Sequence, residues 1–260
     1  AIDLDRDGDI DVLSADEYNN RISWYENDGL QNFTTHYVSS TVNAVKDVYA
    51  IDMDNDGDID VLSASANFDE IAWYENTTAA PVEPSFTPRT ISTNVNQEYV
   101  VYAADIDADG DIDVLSGADG NTGADDKIRW LEQNGAANPG WTNFHNVTTN
   151  ANGVKSIYTI DIDKDGDLDV LSASLDDNTI AWYESNGAAS PTFTRHNIST
   201  NVDNAVSVFA IDIDHDGDID VISGGWSSGV DLYKNDGVQS FTSQSIDTDY
   251  TNAVFSLDID

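Results

Sequence analysis

The chain has 260 residues and no cysteine, and its 49 acidic side chains against 10 basic ones give a formal net charge of −39. Without cysteine there is no disulfide and no thiolate metal site, and with so few cations neither nucleic acid nor an acidic membrane surface is a fitting partner, since Lys and Arg must displace their counterions. No stretch approaches the length of an apolar spanning helix, so no membrane insertion is expected, while 40% hydrophobic content is ample for a core.

In chain order, the first feature is Asp3-Leu4-Asp5-Arg6-Asp7-Gly8-Asp9-Ile10-Asp11, a nine-residue pattern with Asp at positions 1, 3, 5, 7 and 9 and Gly at 6. It returns with Asp52, Asp54, Asp56, Asp58 and Asp60; with Asp105, Asp107, Asp109, Asp111 and Asp113; with Asp161, Asp163, Asp165, Asp167 and Asp169; and with Asp212, Asp214, Asp216, Asp218 and Asp220. A sixth copy begins at Asp258-Ile259-Asp260, and successive starts are 49, 53, 56, 51 and 46 residues apart. These 25 aspartates are the candidate metal residues. Calcium takes six to eight oxygens, and carboxylates at positions 1, 3 and 5 converge on one ion only if the chain turns sharply at the glycine. The carbonyl of position 7 and the carboxylate of position 9 would complete the shell. Without a cation, like charges this close would destabilise their own turn. An EF-hand needs Glu at position 12 and flanking helices; Ser14, Ser63, Ser116, Ser172 and Ser223 stand there instead. Magnesium, which prefers a small octahedral shell, fits less well.

Between the loops each period reads as four short strands, a repeat that decides the architecture. An apolar strand precedes the loop, as at Val48–Ile51 and Val208–Ile211, and a second follows it, as at Val61-Leu62-Ser63. A third carries an aromatic pair (Trp24-Tyr25, Trp73-Tyr74, Trp182-Tyr183), with Trp130-Leu131 in the third period and a weaker Val230-Asp231-Leu232-Tyr233-Lys234 in the fifth. A fourth includes Phe33–Val38 and Phe193–Ile198. Asn27-Asp28-Gly29 and Asn235-Asp236-Gly237 mark tight hairpins between strands 3 and 4. One four-stranded sheet per roughly 50 residues is a propeller blade, so the expectation is a single all-β propeller domain over residues 1–260 with about five blades visible. Strand alternation puts the calcium loop and the 3–4 hairpin on one face. The 2–3 hairpin and the inter-blade connection, with Asn43, Asn96, Asn152, Asn204 and Asn252, lie on the other. The third period lengthens its 2–3 hairpin over residues 118–126. Both ends fall inside a repeat, which reads as an excerpt or a processed product of a longer chain.

No G-x-S-x-G, HExxH or phosphate loop appears, and His36, His145 and His196 fall at one repeat-registered place on strand 4, the expected sign of a structural role. No enzyme is expected. Position 4 of the loop is Arg6, Asn55, Ala108, Lys164 or His215, a variety expected of solvent-facing residues. Trp226 breaks the repeat pattern in its 2–3 hairpin and is the expected exposed aromatic. Asn32, Asn76, Asn146 and Asn197 open N-x-[ST] sequons.

The loop, entering a Val/Ile-Leu/Ile-Ser strand inside a four-strand repeat, resembles the FG-GAP/VCBS-type repeats, which include the calcium-bearing blades of integrin α-subunit propellers and many secreted bacterial proteins. The resemblance implies Ca²⁺ bound through the side chains of positions 1, 3, 5 and 9 and the carbonyl of 7, about five ions in all. It also implies a propeller of six to eight blades. Ser172-Ala173-Ser174 and Ser223-Gly224-Gly225 stand where such repeats carry Gly-Ala-Pro. At a Kd of roughly 10⁻⁴ M in about 1 mM calcium each site would contribute ~1.4 kcal/mol, and five would rival the stability of an ordinary domain. Cytosolic calcium is far too low for such sites, so the expected place is outside the cell. The expected function is a secreted, calcium-stabilised, non-catalytic binding, adhesion or structural module at the cell surface. It would take a protein or glycan ligand there or self-associate. The alternatives are a carbohydrate-binding lectin and an accessory propeller of a larger secreted polysaccharide-active enzyme.

Overall fold

The protein is represented by a computed structural model that describes residues 1–78, 83–119, 126–136 and 139–254. Its strands form five antiparallel sheets hydrogen-bonded in chain order. The first holds β1 (Val12–Asp16), β2 (Arg21–Asn27) and β3 (Phe33–Ser39), and the second β4 (Val45–Ile51), β5 (Asp60–Ser65), β6 (Glu70–Asn76) and β7 (Phe86–Ser92). The third holds β8 (Glu98–Ala104), β9 (Asp113–Ala118), β10 (Ile128–Gln133) and β11 (Trp141–Thr148). The fourth holds β12 (Val154–Ile160), β13 (Asp169–Ser174), β14 (Thr179–Ser185) and β15 (Phe193–Ser199), and the fifth β16 (Ala205–Ile211), β17 (Asp220–Gly225), β18 (Gly229–Asn235) and β19 (Phe241–Asp247). These are the four-stranded blades expected from the repeat. The first sheet has three strands plus an isolated Ile2–Asp11 bridge. The described residues include no helix. The sixth loop, the strand expected around 254–257 beyond Val254, and residues 120–125 of the enlarged third hairpin lie outside the described residues.

The chain divides into two compact units, residues 1–103, 110–116 and 131–144 in one and 104–109, 117–130 and 145–260 in the other, so the third sheet contributes residues to both. In the first unit Leu4, Ile22, Trp24 and Val38 of one blade close on Val42, Val45, Val61, Ala72 and Tyr74 of the next. In the second unit Ile162, Leu171, Ile180 and Trp182 close on Val202, Val208, Ala210, Val221 and Tyr233. Strands β5, β13 and β17 are buried at all six positions, and strands buried on both faces read as apolar runs rather than alternating ones. Burying one such Val, Leu or Ile side chain contributes ~1.5–3 kcal/mol. Position 2 of the loop shares this core: Leu4, Met53 and Ile162 are buried and anchor an otherwise acidic turn.

The two ends of each sheet are sorted as expected. At the 2–3 hairpin end, backbone bonds join hairpins to the connections between blades, as in Leu175 N–H to Gly153 C=O and Val202 N–H to Asn178 C=O. The side chains of Asn20, Asp69 and Asn178 accept the N–H of Ala44, Gln97 and Asn204, which open the next blade. A second bracket recurs on strand 1: Asp47 Oδ2 accepts the N–H of Val101 at 3.1 Å, Ser156 Oγ that of Val208 at 3.3 Å, and Ser207 Oγ that of Val254 at 3.0 Å.

Candidate metal centres

Each loop is folded by its own carboxylates. The position 1 Asp accepts the N–H groups of positions 5 and 6: Asp161 takes Asp165 at 3.1 Å and Gly166 at 3.0 Å, and Asp3, Asp52 and Asp212 do the same in their loops. The Gly at position 6 makes that turn with φ between 95° and 103° in Gly8, Gly57, Gly110, Gly166 and Gly217, a conformation costly for any residue with a Cβ. Position 5 accepts the N–H of position 7, as Asp165 does from Asp167 at 3.0 Å.

The position 9 Asp is buried and ties the loop to the sheet. One oxygen of Asp169 accepts Ile162 N–H at 3.1 Å and the other Ser185 N–H, at the end of β14, at 2.8 Å. Asp11, Asp60 and Asp220 do likewise, with Asn27, Asn76 and Asn235 as the β-strand partners. The amides of those three asparagines also donate to the carbonyl of loop position 8.

This wiring gathers positions 1, 3 and 9. In Asp3/Asp5/Asp11, Asp52/Asp54/Asp60, Asp161/Asp163/Asp169 and Asp212/Asp214/Asp220, one oxygen from each residue lies within 4.8 Å of the others. In the third loop Asp113 accepts Gln133 N–H at 2.8 Å and Asp105 accepts Asp109 N–H at 3.0 Å; Asp105 and Asp107 belong to one unit and Asp113 to the other. Positions 5 and 7 stand outside the gathered triplets. The electrostatics record the crowding. Burial pushes the carboxyls of Asp60 and Asp169 up to about 7 against the backbone bonds that lower them. Asp5, Asp54 and Asp163 are raised, first by burial, with neighbouring loop carboxylates and Glu26, Glu75 and Glu184 adding to it. A cluster of hard oxygen donors, held by backbone N–H groups at like-charge distances, fits Ca²⁺ by donor chemistry.

The position 7 side chain has another neighbour. A Cβ built on Gly29 would meet Asp9 Oδ2 at 2.5 Å, one on Gly237 would meet Asp218 Oδ2 at 2.6 Å, and Gly135 and Gly187 stand the same way over Asp111 and Asp167. In these four repeats the glycine of the 3–4 hairpin thus makes room for the position 7 carboxylate as well as serving its own turn. Position 4 is exposed in all five loops, as its variety predicts, and its longer side chains also contact the following loop. Its backbone is left-handed in all five loops, and Arg6 reaches Gly57 O and Asp58 of the next loop, Asn55 reaches Gly110 O, and Lys164 reaches Asp218 Oδ1 at 2.6 Å. Ala108 has no such reach, and a cavity of about 60 Å³ lies there beside Gly166 and Asp167.

Three of the four histidines pack on strand 3. His36, His145 and His196 stack on Trp24, Trp130 and Trp182 at 4.5–4.6 Å, and Arg89 covers Trp73. His36 and His196 also bond Glu26 at 2.8 Å and Glu184 at 2.7 Å. The strand 3 tryptophans they cover are buried, whereas Trp226 is 38% exposed and lies nearly parallel to Tyr250, ring centres 6.3 Å apart.

Among curated proteins none matches the sequence. Two solved structures share the fold: BBS1N in complex with ARL6DN, soaked with lead (TM-score 0.55, 14% identity, 94% of this chain and 66% of that one), and a Bacteroides uniformis protein provisionally assigned as a 6-phosphogluconolactonase (TM-score 0.59, 12% identity, 92% of this chain and 69% of that one). The chain therefore spans about two thirds of the length of each. At such identities the likeness is one of fold. The model of the FG-GAP-like repeat matches four overlapping stretches, residues 3–63, 52–116, 105–172 and 161–223. With loop, strands and repeat unit all in register over most of its length, the chain belongs to the FG-GAP-like repeat family.

Proposed function

We propose that the protein is a calcium-stabilised propeller serving as a non-catalytic binding or structural module outside the cell. The observation that carries the reading is the convergence of three carboxylates in loop after loop. Among the described residues, no basic side chain pairs with the gathered groups of the first, second or fourth loop. Positions 1, 3 and 9 would hold the ion, with position 5 and the carbonyl of 7 completing the shell. The ion supplies charge neutralisation: it links position 1 to the buried position 9 clamp and so to the third strand of each blade. Weak sites of this kind fill where calcium is near-millimolar, which supports an extracellular place. With about five ions bound the chain would still carry a charge of about −29, favouring partners with basic or neutral surfaces.

The test is thermal unfolding of metal-stripped protein with calcium and with chelator, followed by metal analysis. Calcium should raise the melting temperature, and Asp165→Ala should reduce that rise; equal losses in calcium and chelator would count against the site. A second reading, glycan binding, is favoured by the exposed Trp226–Tyr250 pair, whose parallel rings offer a face for a sugar. Glycan-array binding abolished by Trp226→Ala would support it, and an array without hits would remove it.

A further inference from the structure

The fifth loop differs from the others in the charge that faces it. Lys234 stands at the β18 position that carries Glu26, Glu75, Glu132 and Glu184 in the preceding repeats. Its Nζ lies 3.0 Å from Oδ2 of Asp214, the position 3 carboxylate gathered with Asp212 and Asp220. Lys164, arriving from the fourth loop, places a second ammonium 2.6 Å from Asp218 of the same loop. The second loop also receives a cation at position 7, Arg6 on Asp58, but its position 3 Asp54 faces Glu75. Among the described residues and the loops wholly within one unit, a basic side chain holds a carboxylate of the gathered triplet only at Asp214.

We propose that Lys234 makes the fifth loop a low-affinity calcium site, so that the ions load in two classes and the fifth repeat answers to calcium over a higher concentration range. This rests on the loops being calcium sites. A divalent ion entering the first or fourth loop meets an added negative charge from strand 3, Glu26 or Glu184, and in the second loop it meets Glu75, whose charge is shared with Arg89. In the fifth it meets a positive one and must displace it from Asp214 or share the carboxylate with it. The exchange of Glu for Lys alters the facing charge by two units beside a doubly charged ion. Even with the screening proper to a half-exposed lysine, this weakens binding about tenfold or more.

The experiment is calorimetric titration of the metal-stripped chain with calcium, alongside Lys234→Glu, Lys234→Gln and Asp212→Asn, with melting temperatures in chelator and in calcium. Wild type should show a tight class and one weaker ion. Lys234→Glu should move that ion about tenfold or more tighter, Lys234→Gln part of the way, and Asp212→Asn should delete it while sparing the tight class. Lys234→Glu should also melt lower than wild type in chelator, having lost the partner of Asp214, yet gain more on calcium addition. A shift equal in both conditions would mark Lys234 as a mere surface charge and overturn the proposal. So would a single class of sites in wild type, a weak class untouched by Lys234→Glu, or loss of a tight ion in Asp212→Asn. Absence of any calcium uptake, with no change in melting temperature in any variant, would overturn the calcium reading along with it.

Discussion

Replacing Asp163 by Asn isolates the electrostatics of one loop, because the amide oxygen can still accept Asp165 N–H, now at 3.2 Å from the carboxylate. What disappears is a negative charge whose oxygen lies within 4.8 Å of oxygens on Asp161 and Asp169. Even in the dielectric of water each such repulsion is worth up to ~1 kcal/mol, so in chelator the variant should be more stable than wild type by on the order of 1 kcal/mol. With calcium the sign reverses. A unit charge about 2.4 Å from a divalent ion attracts it by ~3 kcal/mol even at water's dielectric, more than a hundredfold in affinity. In about 10 mM calcium a site of Kd roughly 10⁻⁴ M contributes ~2.7 kcal/mol, which the variant forfeits. The net is a loss of about 2 kcal/mol relative to wild type. Urea unfolding followed by tryptophan fluorescence, in chelator and in calcium, reads both signs. A variant destabilised by the same amount in both media would refute the reasoning, since a purely structural hydrogen bond does not sense the ion.

Three further outcomes follow from the described geometry. Ala108→Lys should fill the space beside Gly166 and Asp167 as Lys164 does for the next loop; a gain of up to ~1 kcal/mol in calorimetric stability is expected, and no gain would mean that the position 4 contacts contribute nothing. Gly237→Ala should cost ~1–3 kcal/mol with and without calcium, because φ is +78° and the new methyl meets Asp218; a melt unchanged from wild type would deny the contact between hairpin and loop. Burial pushes the carboxyl of Asp47 up to about 6, so the fold binds that proton more tightly than the unfolded chain does. Its contribution is present in full below about pH 4 and lost as the pH rises through about 6, by at most ~3 kcal/mol. Stability measured from pH 4 to pH 7 should therefore fall less steeply in Asp47→Asn than in wild type, and parallel curves would rule this out.

The blades and the gathered aspartates were legible because both are local. Val61-Leu62-Ser63 and its counterparts announce a strand buried on both faces, and the alternation from Asp3 to Asp11 places acids where one turn can collect them. What the sequence concealed is what neighbours do to one another. Position 7 looks like every other aspartate of the loop, and only the folded sheet shows it against Gly29 or Gly237, some 20 residues on. Asp47, Ser156 and Ser207 share a strand position but not a chemistry, so no pattern links them until each is seen accepting an N–H from the next blade. Arg6, Asn55 and Lys164 looked unconstrained because the partner is a backbone carbonyl or a carboxylate, which accepts from any donor. Lys234 was visible as a departure in the weakest period, yet its meaning depended on β18 running beside Asp214.

That tolerance at position 4 has a consequence for how such a chain can grow. The receiving side, a glycine carbonyl and an aspartate, is the same in each loop, whereas the sending side varies freely. A duplicated repeat would therefore arrive already compatible with its neighbours upstream and downstream, with no co-adapted residue to re-evolve, and copies could be gained or lost as whole modules.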